Sequence, residues 1–235
     1  MPGAAVLCAR AAARTGAGYV YLCVPSAFYQ CVEHPDFIPR TRHPFPTDLA
    51  QANATVFGPG VGVTATSLKF LKRLYALNVP VVLDADGLSM LAKTPRTLPS
   101  NWILTPHEAE MGRLIGEPSA WVAKNRVQAV RRAQKRYSCV VLLKGHGTLV
   151  CSARHLWRVD AGNPALAKAG TGDVLSGILG ALIAQGLSSE EAACLGAYLH
   201  GSLADRWVQS HRDELSLLAS DLVDQLPEGL AALRR

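Results

Sequence analysis

Residues 169–182 read AGTGDVLSGILGAL. Gly170, Thr171 and Gly172 run straight into an apolar helix whose first residue should be about Asp173. The N–H groups of a helix's first turn have no partner inside the helix, so such a start is an anion site, and glycines let a phosphate come close. The small residues Ser176, Gly177 and Gly180 should let the helix pack closely on a sheet. Asp173 then has two readings. It is a helix cap, worth about 1 kcal/mol, or a carboxylate placed to take a proton from a hydroxyl while a transferred phosphoryl group sits over the N–H groups. A cap alone would not require Gly-Thr-Gly before it.

Outward from this stretch the same pattern recurs. Ligands of open α/β sheets bind beyond the carboxyl ends of the strands, and GPGVG (58–62), DADG (84–87), TPHEAE (105–110) and KGHGT (144–148) each follow a short apolar run. Strands are expected over 19–24, 54–57, 80–84, 102–104 and 140–144, with a hairpin over 148–152 and 155–159 turning at Ala153-Arg154. Helices are expected over 4–15, 65–77, from Thr105-Pro106, over 124–136, from Asp173 to residue 185, over 189–209 and near 215–225. The prolines at 25, 35, 39, 44 and 46 leave 25–50 without a long element. Strands that are apolar throughout and alternate with helices imply a mainly parallel sheet covered on both faces. With no linker or composition break, residues 1–235 read as one three-layer α/β/α domain.

Each motif carries a structural alternative. Gly145 and Gly147 make a turn that can face a nucleotide while Lys144 reaches a phosphate, or a plain strand–turn–strand with an exposed lysine. His107 stands at a helix start, as a ligand contact or a structural histidine, and the dipole explains Glu108 and Glu110. GPGVG is a loop open to close backbone approach, or a simple turn. Asp84 and Asp86 suit metal-linked phosphate or substrate hydroxyls, or cap the next helix. Neither a Walker loop, a GxGxxG after a strand, nor a GxSxG elbow is present, and no cysteine or histidine cluster suggests a metal site.

Composition sets the outer bounds. The 235 residues are 49% hydrophobic with a net charge of +6, too apolar for disorder, and no apolar run reaches the ~18 residues of a membrane span. The densest basic cluster, KNRVQAVRRAQKR (124–136), spaces Val127, Val130, Ala133 and Tyr137 as one helical face, which turns its arginines to solvent and argues against nucleic acid. A modest positive potential suits an anionic small ligand. Six cysteines without CxxC spacing, and no secretory signal, point to the reducing cytoplasm.

The ordered set MPGAAVLCARAAARTGAGYV, VFGPGVG, VVLDADGLSML, ILTPHEAEMGRL, VVLLKGHGTLV and AGNPALAKAGTGDVLSGILGALIAQG closely resembles the ADP-dependent NAD(P)H-hydrate dehydratases, and the resemblance continues through EAACLGAYLHGSLAD (191–205). It implies a ribokinase-like three-layer α/β/α sandwich with a mostly parallel central sheet. The implied function is repair of NADH and NADPH hydrated at C6, by phosphorylation of the C6 hydroxyl and loss of phosphate assisted by the ring nitrogen. ADP, giving AMP, is the phosphoryl donor of bacterial members and ATP that of eukaryotic ones, with Mg²⁺ accompanying the nucleotide. Carried over by motif, Asp173 would be the base. Ala4, Gly60, Gly62, His107 and Asn163, with Asp173, would contact the hydrate. Lys144, Gly145, His146, Gly147, Thr148, Thr171 and Gly172 would bind the nucleotide. No protein-held metal cage is expected, and the resemblance implies a homo-oligomer, a tetramer.

The sequence departs from the family in NPALAKAG, where Ala165-Leu166 and Lys168-Ala169 replace Gly-Met and a small-Gly pair. Lys168 would alter nucleotide geometry or add a phosphate contact. The family's first strand and Gly-rich loop, which normally precede MPGAA, are missing from the start, so the domain is expected to be N-terminally short. Two other functions compete: a ribokinase-like kinase for a vitamin precursor, and a truncated form that binds nucleotide with impaired catalysis.

Overall fold

The computed structural model describes residues 1–25, 27–28, 36–41, 46–210 and 212–234. The chain opens on α1 (Pro2–Thr15), which ends at Gly16 in the left-handed conformation glycine accepts (φ 107°). β1 (Tyr21–Val24) pairs in parallel with β2 (Ile38–Thr41), forming a separate two-stranded sheet on α1. The sequence gives no signal for β2. The rest of the expectation for 25–50 falls partly on residues 26, 29–35 and 42–45, Cys31 among them, which lie outside the described residues.

The central sheet has six strands in sequence order: β3 (Thr55–Phe57), β4 (Val81–Leu83), β5 (Trp102–Leu104), β6 (Val140–Leu143), β7 (Thr148–Cys151) and β8 (Leu156–Val159). β3 to β6 are parallel, so their carboxyl ends share one rim; β7 and β8 add antiparallel, as the hairpin reading requires. Period-2 alternation sorts the apolar side chains between two cores. Val81, Leu83, Trp102, Leu104, Val141 and Leu143 face one, with α2 (Ala65–Leu74), α3 (Ala85–Lys93), α4 (Glu108–Ile115), α5 (Ser119–Lys124) and α6 (Arg126–Tyr137). Val82, Ile103, Val140 and Leu142 face the other, with α1, α7 (Thr171–Ala184), α8 (Ser189–Gln209) and α9 (Ala219–Leu233). The result is the expected three-layer sandwich.

Several local expectations need correction. α4 begins at Glu108, not at Thr105-Pro106, because His107 supplies the cap. The basic segment divides into α5 and α6, and Val127 is exposed while Ala129 takes its place in the core. Gly177 packs on α1 and not on the sheet: a Cβ there would lie 2.2 Å from the Cys8 carbonyl oxygen. Gly180 does face the sheet, at Val56. The final helix runs well past the expected 215–225. Among the described residues, no helix is long and apolar enough to cross a membrane.

Candidate active site

Parallel pairing brings the ends of β3, β4, β5 and β6 together, and the residues just beyond them interlock. Asp84, immediately after β4, caps α3 by accepting from the Ala85 N–H (2.9 Å). The same Oδ1 accepts from Lys144 Nζ at 2.8 Å, and Oδ2 accepts from the Ser176 hydroxyl at 2.8 Å. Asp84 is only 2% exposed, so this buried carboxylate is bound on every side. Ala85 carries the strain of the turn at φ 47°, a conformation L-residues rarely adopt.

Lys144, immediately after β6, is neither exposed nor extended from the hairpin turn. Its ammonium lies between Asp84 and Glu110, the latter at 3.7 Å. Burial opposes its charge, but Asp84 and Glu110 outweigh burial and raise its pKa above the ordinary lysine value. Glu110 also closes a capping box on α4, accepting from the His107 N–H while His107 Nδ1 accepts from the Ala109 N–H. His107 is therefore a cap whose half-exposed ring still faces the rim.

α7 enters over this cluster. It starts at Thr171, with Gly170 at φ 92° as its cap, so Asp173 lies inside the first turn and is not the cap. The first helical hydrogen bond runs from the Val174 N–H to the Gly170 carbonyl, which leaves the N–H groups of Thr171, Gly172 and Asp173 outside the helical ladder. A Cβ on Gly172 would lie 3.4 Å from Lys144 Nζ and 3.9 Å from Asp84 Oδ2. Burial, then Asp84 and Asp86, push the Asp173 pKa up to about 6, against the pull of Lys144 and the amino terminus.

The glycine loop after β3 reaches the same place. The Gly62 N–H donates to Asp86 Oδ2 at 2.8 Å. Gly60 (φ 63°) lies against α1, where an added Cβ would meet the Met1 carbonyl oxygen at 2.0 Å and Ala4 Cβ at 3.3 Å. Ala4, Gly60, Gly62, His107, Lys144, Gly172 and Asp173 are thus one contiguous rim.

The other expected residues form two flanking groups. Gly145, His146, Gly147 and Thr148 make the mouth of the β6–β7 turn, with the Thr148 hydroxyl donating to the Gly145 carbonyl. Arg126 braces this turn: it pairs with Glu108 and donates to the Leu143 and Lys144 carbonyls, both at 3.2 Å. Asn163 caps the short 3-10 helix Pro164–Leu166, and its Nδ2 donates to Asp205 at 3.0 Å. Lys168 Nζ donates to the Leu215 carbonyl.

Sequence reasoning missed Asp205, Arg126 and His200, and took Ser176 only as a small packing residue. His200 Nε2 meets the buried Thr171 carbonyl at 2.9 Å, and burial lowers its pKa to about 4, so the neutral ring donates. The signal was available: His200 stands among Ala193, Ala197 and Ala204 on a buried stripe of α8. Among the described residues, no group of three His, Cys, Asp or Glu could hold a metal ion, and Lys144 lies between Asp84 and Glu110.

The family model described as NAD(P)H-hydrate dehydratase matches residues 1–228. The chain belongs to the NAD(P)H-hydrate dehydratase family. It is 39% identical over 242 residues to the bifunctional NAD(P)H-hydrate repair enzyme of Vibrio cholerae, covering 97% of this chain and 47% of that one. It is 42% identical over 178 residues to the ADP-dependent (S)-NAD(P)H-hydrate dehydratase of Neisseria meningitidis, covering 72% of this chain and 60% of that one. The chain thus spans about half the length of the curated relatives it matches. The ADP/ATP-dependent NAD(P)H-hydrate dehydratase of Bacillus subtilis, co-crystallised with ATP/Mg²⁺, superposes with a TM-score of 0.87 at 29% identity, covering 99% of this chain and 85% of that one. The family match and these identities favour the dehydratase family over the vitamin-kinase alternative.

Proposed function

We propose that this chain is an ADP-dependent (S)-NAD(P)H-hydrate dehydratase, a lyase that restores hydrated NADH and NADPH. The observation that carries the reading is Asp173, a carboxylate of raised pKa in the first turn of α7, beside N–H groups the helix leaves unbonded. Asp173 accepts the proton of the C6 hydroxyl as the hydroxyl oxygen attacks the terminal phosphoryl group of ADP. The Thr171 and Gly172 N–H groups receive the negative charge of the transferred group, and AMP leaves. The ring nitrogen then expels inorganic phosphate from C6, and loss of the C5 proton restores the double bond. A base with a pKa near 6 is ionised at neutral pH yet still basic enough to take the proton.

The hydrated dinucleotide rests on Ala4, Gly60, Gly62 and His107, and Asn163, fixed by Asp205, contacts it from the flank. The nucleotide occupies the mouth formed by Gly145, His146, Gly147 and Thr148, next to Lys144, Thr171 and Gly172. Mg²⁺ accompanying the nucleotide would neutralise part of its negative charge next to Lys144, and no group of three His, Cys, Asp or Glu among the described residues could hold a metal ion.

The relatives' names and the ATP/Mg²⁺ complex of the Bacillus subtilis enzyme support this assignment of ligands. We read residues 1–235 as one catalytic unit acting in the cytoplasm as a homo-oligomer; the free thiols Cys8, Cys139, Cys151 and Cys194 accord with a reducing compartment. Product analysis after incubation with hydrated NADH and ADP tests the reading. Equal amounts of NADH, AMP and inorganic phosphate are expected, whereas an accumulating phosphorylated product would assign a kinase.

A further inference from the structure

Asp84 does more than end β4. Its carboxylate gathers Lys144 from the end of β6 and Ser176 from α7, and Ser176 lies three residues after Asp173, one helical turn along the same face. The Lys144–Asp84 pair sits directly beneath the backbone of Gly172. A strained residue, Ala85, is kept at the junction, and such outliers persist where the surrounding structure over-determines them. Glu110 stands 3.7 Å from the Lys144 ammonium as a second partner, and the charge of Lys144 also reaches Asp173. A base locked in an ion pair would lose its affinity for a hydroxyl proton.

We propose that Asp84 is a positioning residue for Asp173: it engages the Lys144 ammonium beneath the first turn of α7, so that Asp173 keeps the basicity that proton transfer requires. This rests on the role of Asp173 as base. The other charges around Asp173 are accounted for. Asp86, from α3, adds to the repulsion of Asp84, while the Met1 ammonium on α1 opposes it. Glu110, from α4, shares Lys144. Cys8, on α1, is a neutral thiol, its pKa driven up by burial and then by Asp173 and Asp84. His200, from α8, is a neutral ring bonded to the Thr171 carbonyl.

The test is a ¹³C-carboxyl NMR titration of the full chain labelled in aspartate, with the Asp173 resonance assigned by its loss in Asp173→Asn. In the unaltered protein Asp173 should titrate near pH 6. In Asp84→Asn, which removes a repelling charge and frees Lys144, its midpoint should fall by about one unit or more. In Lys144→Met it should rise, and the double variant should return towards the starting value. A structural role alone does not produce opposite shifts. Unchanged midpoints in both single variants, or shifts in the same direction, would overturn the proposal. Because the titration needs neither hydrate nor nucleotide, it separates failure of this proposal from failure of the dehydratase reading. Where the repair reaction proceeds, the acid limb of kcat against pH should move with the midpoints, and an unmoved limb would also overturn the proposal.

Discussion

Ser176 Oγ donates to Asp84 Oδ2 at 2.8 Å, joining two residues 92 positions apart and fixing α7 to the end of β4. Removing the hydroxyl leaves a buried carboxylate oxygen without its donor. Ser176→Ala should therefore destabilise the fold by about 1–3 kcal/mol, well beyond an ordinary surface change. Urea unfolding checks this, with the midpoint lowered and the slope unchanged.

His200 makes the fold sensitive to acid. Its pKa falls from an ordinary 6.5 to about 4, so the unfolded chain binds the proton more readily. The resulting stability is fully present above pH 6.5 and is lost as pH falls towards 4. His200→Gln keeps an N–H donor for the Thr171 carbonyl but cannot titrate. Its stability between pH 6.5 and 4 should decline less than that of the unaltered protein in parallel melts.

Asp173 contributes with the opposite sign. Its pKa is raised from 3.8 to about 6, so its stability contribution is present below 3.8 and lost as pH rises through 6. Asp173→Asn should raise Tm at pH 8 and confer no such gain at pH 3.5, measured by calorimetry. A residue kept at the expense of stability is what an active site would retain.

Gly145 isolates the nucleotide mouth. It holds φ 127°, and a Cβ there would come within 2.8 Å of Glu108 Oε1 and 2.9 Å of Arg126 Nη1. Gly145→Ala should disturb the turn that Arg126 braces and raise KM for ADP several-fold. KM for the hydrate, which the proposed function seats across the rim at Ala4 and Gly60, should change far less. Steady-state kinetics with each substrate varied in turn will show the split.

The layered fold was legible because β4, β5 and β6 are apolar without interruption and each ends in a polar or glycine-rich motif. The rim followed, since parallel strands must deliver those motifs to one side. What stayed hidden was how the side chains pair. Asp84 reads equally as a cap or a ligand, and it is a cap that also holds Lys144 and Ser176. Lys144 reads as a free phosphate hand because the carboxylates that hold it, Asp84 and Glu110, lie 60 and 34 positions away along the sequence. β2 escaped notice for a different reason: its residues IPRT carry no apolar alternation, and the two-stranded sheet exists through pairing with β1.

The most direct test of Asp173 as the base is the repair reaction itself, with hydrated NADH and ADP at pH 7.5 and NADH absorbance followed over time. The unaltered protein should restore the absorbance, and Asp173→Asn should slow the rate by about 10²–10⁴-fold while remaining folded. Equal recovery by the two proteins, or none by either, would contradict it.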